Sequence, residues 1–176
     1  GVFGDLGQVC GPAKGDVVKS DARGVSDTEI QIGVLNDAGN SLSPGLGAAY
    51  PAVAKAFADW CNEAGGINGR KIVINDRDAK LFDAAAVVID ACQSDFMLVG
   101  GGAALDAPTI QPRLECGLGS IPAMNPSYEG QIADLQAVVG RTSDRESNWG
   151  LFRLLKPEFE DALSKIGILT VDTPDV

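Results

Sequence analysis

Apolar residues recur along the chain in two alternating periods. The run Ile30, Gln31, Ile32, Gly33, Val34, Leu35 is short and rich in β-branched residues, and Asn36, Asp37 and Gly39 bound it, the pattern of a buried strand feeding a loop. From about residue 45 to 62, Leu46, Ala49, Tyr50, Val53, Phe57 and Trp60 fall three or four apart. That spacing predicts a helix with one apolar face, on which Trp60 packs into the core with Val53 and Phe57. Gly65 and Gly66 supply its stop.

The alternation continues. A second strand is predicted over Lys71 to Asp76, a second helix over Phe82 to Ala91 and a third strand over Phe96 to Val99. The triplet Gly100, Gly101, Gly102 then opens a helix near Pro108 to Glu115. Ile121 to Ala123 reads as a fourth strand, Gln136 to Arg141 as a fifth, and 147–155 as a helix containing Trp149, read as structural. Strands alternating with helices at this spacing imply right-handed crossovers and an α/β fold with a doubly wound parallel sheet.

Three units are expected. Residues 1–28 form an extended leader that Ser26 and Asp27 turn inward, and 29–164 form the α/β lobe. Residues 165–176, with Ile166, Ile168 and Val171, read as the first strand of a following lobe.

Composition narrows the chemistry. The 176 residues are 45% hydrophobic, the size of one domain with one core. A net charge of −10 repels phosphate backbones and anionic membranes, which argues against nucleic acid as a partner. No apolar run reaches the roughly 20 residues of a membrane helix. Histidine is missing from the whole chain, which removes the usual general base and the commonest metal ligand. Cys10, Cys61, Cys92 and Cys116 show no metal-ligand spacing; four cysteines permit full pairing in three connectivities and favour an oxidising compartment. The glycine triplet lacks the Lys-Ser/Thr of a phosphate loop.

One segment is more specific. Asn62-Glu63-Ala64-Gly65-Gly66-Ile67-Asn68-Gly69-Arg70, together with the entry Gly24-Val25-Ser26-Asp27-Thr28-Glu29-Ile30, resembles the extracytoplasmic solute-binding receptors of branched-chain amino acid ABC importers. Locally, the glycine pair ends the helix and Asn68-Gly69 makes the tight turn that launches Lys71. The resemblance runs from about Gly24 onward and implies a type I periplasmic-binding lobe, with flavodoxin-like strand order 2-1-3-4-5. It further implies capture of an amino acid or similar small polar solute between two lobes, delivery to a membrane permease, no cofactor, no metal and no catalysis. The leader and the Trp60-Cys61 pair look similar to secreted actinobacterial members.

In such a sheet, loops at the carboxyl ends of the strands converge on the ligand. The expected contacts are Asn36 and Asp37 after the first strand, Ala103, Ala104 and Asp106 after the third, Asn125, Ser127 and Tyr128 after the fourth, and Thr142 after the fifth. The family's main solute contacts fall near Ala104 and Ser127. Relatives that bind aliphatic amino acids carry Ser and Thr after the third strand, where this chain has Gly101, Gly102, Ala103, Ala104 and Leu105. Asp106 reads equally as the cap of the helix at Pro108, and Asn125, Ser127 and Tyr128 as a turn capping the next helix. Cys92 and Cys116 each end a helix just before a strand, which predicts one bridge at the amino edge; Cys10 then pairs with Cys61.

Two other functions fit fewer residues. A sensory ectodomain has the same lobe pair, and a small hydrolase-like enzyme would have Asp37, Asp78 and Asp106 as carboxylates but no nucleophile elbow.

Overall fold

The computed structural model describes residues 4–139, 153–159, 161, 165 and 167. Four parallel strands form one sheet in the order 2-1-3-4: β1 (Glu29–Asn36), β2 (Lys71–Asp78), β3 (Met97–Val99) and β4 (Gly119–Ile121). The connections are α1 (Ala49–Glu63), α2 (Ala84–Ser94) and α3 (Ala107–Glu115), with a short α4 (Tyr128–Ile132) after β4. This is the α/β topology expected of a type I periplasmic-binding lobe. Gln136 pairs in parallel with Ser120, beside β4 where a fifth strand belongs. The expected fifth strand is otherwise not formed over 137–139, which are irregular, and its last two residues, most of the 147–155 helix, Trp149, Thr142 and most of 165–176 lie outside the described residues.

The alternation of side chains along each strand sorts the two faces. Ile32, Ile72 and Ile74 pack with Ala58 and Cys61 of α1, whereas Leu98 packs with Val88 and Ala91 of α2 and with Leu118. Gln31, Gly33, Asn75 and Arg77 share that second face but are not apolar. Two of them bind Asp95, which is fully buried: Asn75 Nδ2 donates to it at 2.6 Å and also to Gln31 Oε1 at 3.2 Å, and Arg77 Nη2 lies 2.6 Å from its Oδ1. Gly33 has no Cβ because one would overlap that carboxylate. The hydrogen bond to Asp95, reinforced by the charges of Asp95 and Asp90, raises the Arg77 pKa despite burial.

Helix α1 begins at Ala49, four residues later than its apolar spacing suggests. Gly45 and Gly47 adopt positive φ, and Leu46 pairs with Asp37 instead of entering the helix. The core reading of its apolar face is also corrected. Ala58 and Cys61 are the buried residues of α1, while Val53 is 69% exposed, Phe57 40% and Trp60 37%.

The Asn62–Arg70 segment closes the amino edge of the sheet. The Asn62 side chain donates to Ile72 O at 2.9 Å and accepts from Ile72 N at 2.8 Å, pairing the exposed start of β2 as a neighbouring strand would. Asn68 and Gly69 both take positive φ and turn Ile67 back onto Arg70, the geometry of a type I′ turn. Arg70 is buried and donates to Ser26 O and Val18 O. The leader is therefore fastened to the lobe, further held by Gly11 N to Gly66 O at 2.7 Å. Both expected bridges form: Cys10–Cys61 joins leader to α1, and Cys92–Cys116 joins α2 to α3, with Cα atoms 5.2 and 6.0 Å apart.

Candidate functional site: the carboxyl edge of the sheet

The carboxyl ends of β1, β3 and β4 release three loops side by side, and backbone hydrogen bonds lock them together. Gly102 N donates to Leu35 O, Gly100 N to Ile121 O and Ala123 N to Gly101 O, each at 2.8 Å. The close approach explains two glycines of the triplet, Gly101 and Gly102, while Gly100 has open space at its Cβ position and a positive φ. A Cβ at Gly101 would overlap the backbone of Leu35, and one at Gly102 would press on Met124.

Most polar residues expected at the site are buried and hold these loops. Asn36 is fully buried; its Nδ2 donates to Asp76 Oδ1 at 2.6 Å and its Oδ1 accepts from Ala38 N at 3.0 Å. Asp37, 1% exposed, accepts from Leu81 N at 2.8 Å and from Ala104 N at 2.7 Å. One carboxylate thus ties the loop after β1 to those after β2 and β3. Leu81 and Lys80 both have positive φ, a conformation unfavourable for such side chains. Hydrogen bonds from their amides to Asp37 and Asp78 hold it in place.

Asp106 stands at the N-cap position of α3, but its Oδ1 accepts from Ser127 N, 2.9 Å away on the β4 loop. Ser127 in turn caps α4, its Oγ accepting from Gly130 N at 2.9 Å. Tyr128 follows as the first residue of α4 and is 57% exposed. Ala103 is fully buried against Leu35 and Ala84, Ala104 is half-buried, and Asn125 is half-buried. Of the side chains expected to touch a solute, Ala104, Asn125 and Tyr128 remain accessible on this edge.

Two contributors escaped the sequence reading. Asn40 donates to Asp37 O and Ser43 O while accepting from Ser43 N, shaping the first loop. Tyr50, near the start of α1, points its hydroxyl at Met124 Sδ, 3.9 Å away, linking α1 to the β4 loop. No pattern in the sequence marks either, since each depends on which loops become neighbours.

Beneath the loops lies a cavity of about 30 Å³, bordered by Leu98, Asp106, Thr109, Arg113 and Asn125. Asn125 Nδ2 is buried there with no hydrogen-bond partner among the described residues. Arg113 donates to Leu118 O, Leu135 O and Asp134 O, and its burial lowers its pKa. A cavity of this size accommodates about one water. Among the described residues no cluster of His, Cys, Asp or Glu has metal-binding geometry, and no helix is long and apolar enough to cross a membrane.

No protein-family model and no curated protein matches the chain. Solved structures do resemble it in fold. One is a fatty acid ABC transporter substrate-binding protein from Thermomonospora curvata, with TM-score 0.63, 18% identity, 85% of this chain and 38% of that one. A second is a branched-chain amino acid transporter substrate-binding protein from Streptococcus pneumoniae in complex with isoleucine, with TM-score 0.58, 22% identity and 76% and 39% of the two chains. A third, a substrate-binding periplasmic protein from Ralstonia solanacearum, has TM-score 0.57, 19% identity and 74% and 39% coverage. The chain spans about two fifths of each of these proteins.

Proposed function

We propose that the chain is the first lobe of an extracytoplasmic solute-binding receptor of an ABC importer, and that residues 165–176 begin its second lobe. The solute lies on the carboxyl edge, above Ala104, Asn125 and Tyr128, and is enclosed when the two lobes close about their hinge. The closed receptor then docks on a membrane permease, with no bond made or broken.

The observation that carries this reading is the construction of the edge. Asn36, Asp37, Asp106 and Ser127 hold three loops in fixed relation, and the cavity of about 30 Å³ below them is too small for a solute. Such an edge is a preformed half-site that needs a facing surface. Solved transport receptors of this fold support the role, and two disulfides support the oxidising side of a membrane.

The solute we propose is an amino acid or a related small molecule whose polar group meets backbone amides, because the loop after β3 has no hydroxyls. A thermal-shift screen of the full-length protein against amino acids, small and fatty carboxylates, amides and polyamines tests this. One chemical class should raise stability, by about 2.7 kcal/mol at a hundredfold excess over Kd. Turnover of any compound, with no shift, would overturn the receptor reading.

A further inference from the structure

At the carboxyl edge, groups that would receive a negative charge are already engaged by the chain itself. Backbone N–H groups and helix N-termini are the usual holders of an anion. Ala104 N donates to Asp37 Oδ2 at 2.7 Å and Ser127 N to Asp106 Oδ1 at 2.9 Å, and both carboxylates are buried. Each fills the position that a solute carboxylate would take on that amide. The helix ends add little. In α3, Pro108 has no N–H and Thr109 N bonds to Asp106 O at 2.8 Å; in α1, Pro51 has none and Tyr50 N bonds to Gly47 O at 2.9 Å. Helix α2 begins with Asp83 at its N-cap position, a negative charge at the positive end of the helix.

The distribution of charge points the same way. Residues 37–48, 100–106 and 122–127, the loops after β1, β3 and β4, contain two Asp and no Lys or Arg. Arg113 beneath them donates to three backbone carbonyls. Lys80, after β2, lies beside Gly39 together with the Asp78 carboxylate. A cation would need an exposed carboxylate on the three loops, and Asp37 and Asp106 are both buried. Ser41, Ser43 and Tyr128 are exposed on this edge, and their hydroxyls both donate and accept.

We infer that the solute turns an uncharged polar group to this lobe, a carboxamide being the simplest case, and that Asp37 and Asp106 exclude carboxylates by occupying Ala104 N and Ser127 N. The inference rests on the receptor reading and narrows its solute from an amino acid to a related molecule without charge. A neutral carbonyl oxygen needs a single N–H, and the amide NH2 is matched by hydroxyl oxygens, so neither requires a countercharge that the loops lack.

The test is calorimetry on the full-length protein with pairs that differ only in carboxylate against carboxamide: acetate and acetamide, isobutyrate and isobutyramide, benzoate and benzamide. The compound giving the largest thermal shift joins them, with its counterpart bearing or lacking a carboxylate. The tightest binder should be neutral and bind at least tenfold more tightly than its carboxylate partner. A carboxylate or an amine that binds as tightly overturns the inference and leaves the receptor reading standing; so does binding by no neutral member while a charged compound binds. Turnover without a thermal shift overturns both. In Asp106→Ala, which frees Ser127 N, the ratio of amide to carboxylate affinity should fall at least fivefold, and an unchanged ratio removes Asp106 from the account. Should that variant not fold, the ratio in the unaltered protein decides alone.

Discussion

The backbone nitrogen of Ala104 lies 2.7 Å from Oδ2 of Asp37, a carboxylate 1% exposed that also accepts from Leu81 N. Two loops that diverge from different strands are thereby fixed to a third. Replacing Asp37 with Asn turns one acceptor into a donor facing an N–H. Charge-assisted bonds of this kind contribute about 1.5–3 kcal/mol. Asp37→Asn should lower stability by about 2–3 kcal/mol in urea unfolding and also weaken solute binding. Loss of stability with unchanged affinity would show that the loops do not depend on this tie.

Glycines 100 and 101 should respond differently to alanine. Gly100 has φ +74° with open space around its Cβ position, so Gly100→Ala should cost about 1 kcal/mol, the conformational term alone. Gly101→Ala drives a methyl into the Leu35 backbone and must move the loop after β3. It should cost more than Gly100→Ala and reduce solute affinity, measured by calorimetry on both variants.

The Asp95 network is a structural device at the opposite end of the sheet. Removing one partner of a buried ion pair typically costs about 3–5 kcal/mol. Asp95→Ala should fall in that range, and Asp90→Ala, which removes the exposed partner of Arg77, by about 0–1 kcal/mol. Equal losses in thermal unfolding would contradict the separation of the two carboxylates by burial.

The disulfides close stretches of 51 and 24 residues. Chain-entropy arguments give each about 3–4 kcal/mol. Cys10→Ala with Cys61→Ala should loosen the leader as well, so trypsin should cut faster at Lys14 and Lys19. Removing Cys92–Cys116 should lower stability and leave that cleavage unchanged.

Sequence periodicity read most of the α/β order correctly, because strand and helix periods depend on local spacing. Both disulfides were legible for a similar reason: Cys92 and Cys116 end successive helices, which a doubly wound sheet places side by side. The start of α1 was misread because Leu46 continues the helical spacing, while the positive φ at Gly45 and Gly47 diverts it to pair with Asp37. Trp60, Val53 and Phe57 were read as core because periodicity reports an apolar face without reporting what covers it. At the carboxyl edge the loops were identifiable, but the division of labour within them was not. Asp37, Asp106 and Ser127 are types that serve equally in binding and in capping, and only the pairs Asp37–Ala104 and Asp106–Ser127, 67 and 21 residues apart in sequence, reveal the second use.

Hydrogen exchange of the full-length protein, with and without the compound that gives the largest thermal shift, tests the central claim most directly. The account predicts slowed exchange in the loops 37–46, 100–106 and 123–128 at the carboxyl edge, with the amino-edge turn at 65–70 unchanged. Protection centred on that turn, or none at the three loops while the compound is bound, would contradict it.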